Sequence, residues 1–235
     1  MKYGIVVISV ILSQLIACLP VDPPLPHTIE KPLLQCDGFV VAPDISDGYR
    51  EAIHLQWSLS DTETALVSTY TLLRKFSFDS VFDVFTGSRL IPADTFHFYD
   101  ELINYVFPAN GIDSVFYRIL AIDTLGRAGD TSDIVRLKIA PQPKFGSYDE
   151  EKGCCSWESW IRGGIFSWCT VRHETETIHW TSERQEKYPD TDQPAVFSAC
   201  FPDTLFPPPS GRWYYGFFIR ANDAYSLSVR AIDVQ

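Results

Sequence analysis

Residues 53–58 read Ile53-His54-Leu55-Gln56-Trp57-Ser58, a strict alternation with Ile53, Leu55 and Trp57 on one side and His54, Gln56 and Ser58 on the other. A period of two is the signature of an extended strand with one buried and one wet face. The same signal recurs through the first half. Tyr70, Leu72 and Arg74 alternate with Thr71 and Leu73, and residues 81–85 form a β-branched and aromatic run. Residues 115–122 are almost continuously apolar, and residues 134–139 close the series. Asp47-Gly48, Thr86-Gly87-Ser88, Asn110-Gly111 and Leu125-Gly126 punctuate these runs, each a residue pairing that favours turns. Six or seven short strands in about a hundred residues predict an antiparallel sandwich.

The residues that carry this pattern resemble a fibronectin type III domain over positions 36–140. The matching pieces are Leu55-Gln56-Trp57-Ser58, Tyr70-Thr71-Leu72-Leu73-Arg74, Phe98-Tyr99-Asp100-Glu101-Leu102, and above all Phe116-Tyr117-Arg118-Ile119-Leu120-Ala121-Ile122-Asp123-Thr124-Leu125-Gly126-Arg127. The resemblance implies an immunoglobulin-like sandwich with Trp57 as a core anchor. It also exposes a departure: Val115 stands where the family carries its corner tyrosine, so the corner must be held by another device.

Ala140-Pro141-Gln142-Pro143-Lys144 reads as the start of a linker, placed at 141–147, and residues 148–235 read as a smaller Cys- and Trp-rich β domain. Five of the six tryptophans (Trp157, Trp160, Trp168, Trp180 and Trp213) and four of the six cysteines lie there. Residues 171–180 alternate as one strand, and residues 217–219 and 227–232 read as two more. Trp160-Ile161-Arg162-Gly163-Gly164-Ile165-Phe166 resembles the Arg-Gly-Gly signature of the sulfatase-modifying (formylglycine-generating) family. Trp180-Thr181-Ser182-Glu183 and residues 226–232 resemble its lectin-like paralogues. That resemblance implies half of a C-type-lectin-like fold. An enzyme of this kind would place Cys169 in an open pocket near a second thiol or a histidine.

The N-terminus gives a localisation. One lysine, Lys2, precedes the apolar run 4–12, too short to span about 30 Å of hydrocarbon, so residues 1–17 read as a signal peptide. Leu15-Ile16-Ala17-Cys18 resembles the lipobox of bacterial lipoproteins, which implies cleavage before Cys18 and lipidation of that residue. Residues 18–35 are then anchor and proline-rich tether. Leu19 follows the cysteine where an aspartate would favour the inner membrane, so the resemblance implies the outer membrane. The chain has 19 Lys+Arg against 30 Asp+Glu, a net charge of −11. That balance argues against nucleic acid as a partner and leaves the acyl chains to hold the anchor.

With Cys18 lipidated, Cys36, Cys154, Cys155, Cys169 and Cys200 remain as disulfide candidates, and sequence does not choose among the pairings. His173 and His179, on one strand face, lie about 20 Å apart at 3.3 Å per residue and do not chelate one ion. Turn chemistry accounts for Asp44-Ile45-Ser46-Asp47-Gly48 and Pro189-Asp190-Thr191-Asp192 as well as calcium does. Trp180, Trp213, Tyr214 and Tyr215 are either core or a ligand-stacking platform. No catalytic, cofactor or metal residue is assigned, because no nucleophile elbow, phosphate-cradling loop or acid/base carboxylate pair is present. The expectation is a non-enzymatic envelope lipoprotein that binds a protein or a polysaccharide. The alternative is a divergent relative of the modifying enzymes.

Overall fold

The computed structural model describes residues 29–44, 48–85, 90–102, 112–161, 164–172, 178–185, 194–201, 205–221 and 223–235, with the backbone alone for residues 44, 164 and 178–185. Cys18 and the rest of the anchor, His173, and the two acidic segments 45–47 and 189–192 lie outside these residues.

The first sheet holds β1 (Leu33–Asp44), β2 (Gly48–Ser58) and β5 (His97–Asp100) in the order β1-β2-β5. Facing it are β3 (Val67–Phe76), β4 (Ile91–Pro92), β6 (Asp113–Asp123) and β8 (Val135–Ile139), in the order β4-β3-β6-β8, with β7 (Ala128–Thr131) beside β6. A single short helix, α1 (Asp61–Thr64), joins β2 to β3. Three strands against four, in this order, is the fibronectin type III arrangement. The inward positions of both sheets meet in one core built on Ile53, Leu55, Trp57, Tyr70, Leu72, Val115, Tyr117 and Ile119. Trp57 is 5% exposed and packs edge-on against Tyr70, with centroids 5.5 Å apart. Residues 81–85 do not form the expected strand. Their backbone makes only an isolated bridge, Arg74 to Asp83.

The corner between β5 and β6 is held by Asp100. Its carboxylate accepts from the Tyr117 hydroxyl at 2.7 Å, from Arg74 Nη1 at 2.7 and 2.8 Å, and from the Leu102 amide at 3.0 Å. Leu102 has a φ of 50°, so the amide bond secures a backbone turn that an L-residue rarely adopts. Burial, and next the neighbouring Asp100 charge, push the Tyr117 hydroxyl well above its ordinary pKa, which keeps it a donor. The valine at 115 is buried among the core residues, and the tyrosine two positions later takes over the hydrogen bond.

The second half repeats the plan. Here β9 (Lys144–Asp149), β10 (Cys154–Ser159) and β13 (Ala195–Cys200) form a sheet ordered β13-β10-β9. β11 (Gly164–Arg172), β12 (Ile178–Gln185), β14 (Gly211–Ala221) and β15 (Ala224–Val234) follow the order β12-β11-β14-β15. This is again three strands against four, with the same succession along the chain. The expectation of β structure holds, but the strand order is that of a second sandwich, not of half a C-type-lectin-like fold. The stretch 160–166 that resembled the Gly-Gly signature runs into β11, and residues 226–232 fall within β15. Val171 on β11 lies opposite Ile178 on β12, its antiparallel neighbour, so the two ends of the expected strand 171–180 belong to different strands. β9 begins at Lys144, inside the expected linker.

The two sandwiches are joined by more than a linker. β15 pairs in parallel with β8, Ala224 with Lys138 and Tyr225 with Ile139, which fuses the two larger sheets edge to edge. Ala140 is fully buried and donates its amide to the Tyr225 carbonyl at 2.9 Å. The Ser226 hydroxyl donates to the Pro141 carbonyl at 3.0 Å. Gln142 donates to Glu51 at 2.9 Å and to the Leu227 carbonyl at 3.1 Å, and Glu51 also accepts from the Val229 amide. The far end of the β1–β2 hairpin therefore lies on the outer face of β14 and β15. At Gly216 the approach is very close: a Cβ there would stand 2.8 Å from Val41 Cγ2 and 2.9 Å from Cys169 Sγ. Only glycine lets the hairpin sit so low.

Candidate functional site: the outer face of β1, β2 and β5 and the cleft beside it

Outward positions of three neighbouring strands form two cross-strand rows. Gln56 lies opposite Gln35 on β1 and His97 on β5. In the second row, His54 lies opposite Tyr99 on β5 and Gly38 on β1, with Asp37 beside Gly38 reaching across to it. Asp37 is there because β1 bulges between Cys36 and Gly38, with Gly38 at a φ of 90°. An extra residue in one strand re-aims its side chain. Asp37 turns to hydrogen-bond His54 Nδ1 at 2.7 Å and to accept from Gln56 Nε2 at 3.2 Å. The His54 ring stacks on Tyr99, with centroids 4.9 Å apart and planes at 23°, and His97 meets Tyr99 edge-on at 5.6 Å. The result is a solvent-facing grid of ring, amide and carboxylate groups on a rigid sheet.

The same Asp37 lines a cleft of about 260 Å³ between the sandwiches. Phe39 and Asp37 form its β1 wall. Ile165, Ser167, Phe218, Ile219, Arg220, Tyr225 and Ser226 supply the rest, from β11, β14 and β15. The Arg220 guanidinium lies 5.5 Å from the Tyr225 ring centroid and is exposed at the rim. The cleft thus offers apolar walls, a carboxylate on one side and a cation on the other. It is slightly smaller than the usual range for small-molecule pockets, about 300–1,000 Å³.

No protein-family model and no curated protein matches this chain. Among solved structures, the chain is similar to the chicken CNTN1 FN1-FN3 domains, with a TM-score of 0.35 and 14% identity over 87% of this chain and 66% of that one. It is similar to a two-domain fibronectin type III segment of chicken tenascin, with a TM-score of 0.31 and 10% identity over 87% and 99%. It is also similar to the chicken interferon gamma receptor alpha chain, with a TM-score of 0.28 and 12% identity over 88% and 98%. The architecture rests on the strand order described above.

The aromatic residues expected to form a platform are placed elsewhere. Trp213 and Tyr215 are 2% and 0% exposed and belong to the second core. Trp213 Nε1 donates to the Pro209 carbonyl at 2.9 Å, and Tyr215 donates to the Gly153 carbonyl at 3.1 Å. Tyr214 points the other way, yet it is 7% exposed because Tyr49 of the first sandwich covers it, with centroids 5.3 Å apart. The platform reading is corrected for these three. β14 alternates as a strand must, but both of its faces are covered, so neither set of rings reaches solvent. The side chain of Trp180 lies outside the described residues.

One disulfide joins Cys154 to Cys200 across β10 and β13. Cys36, Cys155 and Cys169 are free thiols. Cys169 lies beneath the hairpin with no exposure, and burial pushes its pKa up to about 12. Burial likewise pushes Cys36 to about 11 and Cys155 far above its ordinary value. A protonated, enclosed thiol is not a nucleophile, so the open pocket that the enzyme alternative requires at Cys169 is not there. Among the described residues no cluster of His, Cys, Asp or Glu is arranged to hold a metal, and no helix is long and apolar enough to cross a membrane.

His54, Gln56 and Ser58 share the wet face of β2, and the alternation of that strand alone does not single them out. Their grouping with Asp37, His97 and Tyr99 depends on register between separate strands, with Asp37 and His54 17 residues apart and His54 and Tyr99 45 (99 − 54). The available signal was that this outer face carries histidine and glutamine where a merely solvated strand more often carries threonine or lysine.

Proposed function

We propose that this chain is a non-enzymatic binding module of the bacterial cell envelope, anchored through lipidated Cys18 and a proline-rich tether. Its ligand is a polysaccharide that crosses the grid of β1, β2 and β5 and reaches the interdomain cleft. The observation that carries this reading is the position of Asp37. It belongs to both the grid and the cleft, so the two surfaces form one continuous strip. Sugars are recognised by hydrogen bonds from fixed polar groups together with ring faces, and the grid supplies both without ordering cost at binding. The β8–β15 pairing and the Gln142–Glu51 hydrogen bond tie the two sandwiches together beside the cleft.

Two measurements test it. Cys18→Ser is expected to move the protein from the membrane fraction to the soluble fraction, with loss of palmitate labelling; retention of the variant in the membrane refutes the anchor. On a glycan array, Asp37→Ala and Tyr99→Ala are each expected to weaken the wild-type hits about tenfold, the effect of losing one good polar or stacking contact. Hits that survive both substitutions place the ligand elsewhere, and a blank array with a protein captured from envelope extracts makes the ligand a protein.

A further inference from the structure

The opposite face of the first sandwich carries a different chemistry. Lys75 on β3, Phe116 on β6 and Arg136 on β8 stand in register across three strands. Arg118 lies two residues along β6 on the same side, and Phe82, from the segment after β3, lies across them. The Lys75 ammonium sits 5.4 Å from the centroids of both Phe82 and Phe116. Arg118 lies 5.2 Å over Phe82, and Arg136 lies 5.5 Å over Phe116. The order is thus Arg118, Phe82, Lys75, Phe116, Arg136, a ladder of cations separated by rings. Ser114 fixes its end, accepting from Arg136 Nε at 3.0 Å and Nη2 at 2.8 Å. Lys138 extends the cationic strip along β8 toward the junction.

Six cations elsewhere in the chain are neutralised by a neighbour. Lys31, Arg50, Arg74, Arg127, Lys152 and Arg212 each pair with a carboxylate. Lys75, Arg118, Arg136 and Lys138 pair with none among the described residues. Arg118 Nε is also buried with no hydrogen-bond partner. In a chain of net charge −11, four uncompensated cations on one sheet face are a local reversal of sign. Stacking on the rings holds them in place, which lowers the ordering cost of binding an anion.

We propose that this outer face of β3, β6 and β8 binds a linear acidic polysaccharide, one bearing carboxylates or sulfates along its length. Charge complementarity selects a polyanion, and the net charge selects a thin one. A flat anionic bilayer faces many of the chain's surplus carboxylates within a screening length of about 8–10 Å and is repelled. A single polymer strand meets only the local strip. Each phenylalanine already carries two cations, so no ring is left for the base stacking that single-stranded nucleic acid uses. Lys75 and Arg136 are two strand spacings apart, about 9.5 Å, which offers regularly repeated anions a cation at each end of the row. This surface is on the other side of the sandwich from the grid and stands independently of the function proposed for it.

The test uses the full mature chain and immobilised polygalacturonate and dextran sulfate, with neutral dextran, an oligo-dT strand and phosphatidylglycerol vesicles as comparison surfaces. Binding to the two acidic polysaccharides is expected, weakening steeply as salt rises. The exposed-side pair Arg136→Gln/Lys138→Gln is expected to lose at least about tenfold in affinity with the native near-ultraviolet circular dichroism retained, since each charge-assisted contact contributes about tenfold. Arg136→Lys is expected to restore most of the loss of Arg136→Gln. Wild-type affinity in the charge-removal variant, no binding at low salt, or tighter binding to vesicles or oligo-dT than to the polysaccharides each overturns the proposal.

Discussion

Asp100→Ala is expected to destabilise the first sandwich by about 3–5 kcal/mol, the usual cost of removing one partner from a buried ion pair. The carboxylate is 3% exposed, and the Arg74 side chain beside it is 11% exposed. Without Asp100, the guanidinium and the Tyr117 hydroxyl are left in the core with their hydrogen bonds unmade, and the Leu102 turn loses its tie. Arg74 cannot simply swing into water, because Phe85 and Phe76 lie against it, with ring centroids 4.3 and 4.9 Å from its guanidinium carbon. Asp100→Asn keeps an acceptor of the same shape and is expected to cost less. Tyr117→Phe is expected to cost about 1 kcal/mol, one net hydrogen bond. The readout is the urea midpoint followed by Trp57 fluorescence. A midpoint for Asp100→Ala within error of the wild type means that the corner is held by something else.

The second large effect falls in the other sandwich. Trp157→Ala is expected to cost about 3–5 kcal/mol, the range for emptying a buried tryptophan site. Trp157 has no exposure, lies parallel to Phe217 at 5.4 Å and 11°, and meets Phe145 edge-on at 5.2 Å. Phe217 in turn contacts Phe197, and Phe197 stacks on Phe166 at 4.2 Å. The hole would open at the centre of a chain of rings, where neighbours cannot close it without breaking their own contacts. The Nε1 donor has no hydrogen-bond partner among the described residues, so truncation sacrifices packing and no polar contact. Near-ultraviolet circular dichroism and the denaturation curve report this directly. Loss of ligand binding at unchanged stability in Trp157→Ala would return the tryptophans to a surface role.

Legibility followed the range over which each feature acts. Strands β2, β3, β6 and β8 were readable because each carries its own alternation, and Trp57 announced itself as core by falling in phase with Ile53 and Leu55. Residues 81–85 have strand-forming side chains, yet Phe82 lies within a cation ladder and only Asp83 pairs its backbone with β3, so composition there misled. The second sandwich was obscured because β14 is apolar at nearly every position from Trp213 to Ile219. That run has lost the period of two since one face meets its own core and the other meets Val41 and Tyr49 of the first sandwich. The adjacent cysteines behave differently for the same reason: Cys154 faces out toward Cys200, and Cys155 faces in.

By itself, the sequence determined the β class, the position of the first sandwich, the acidic balance that disfavours nucleic acid, and the expectation of an anchor at Cys18. Those depend on local order along the chain. The tertiary structure decided that the second half is another sandwich fused to the first, that the tryptophan-tyrosine cluster is core, and that Asp37, His54, His97 and Tyr99 form one surface. Each of these is a matter of register and of what covers a strand's second face. Both are set by contacts between residues far apart in sequence, where no local pattern carries the information.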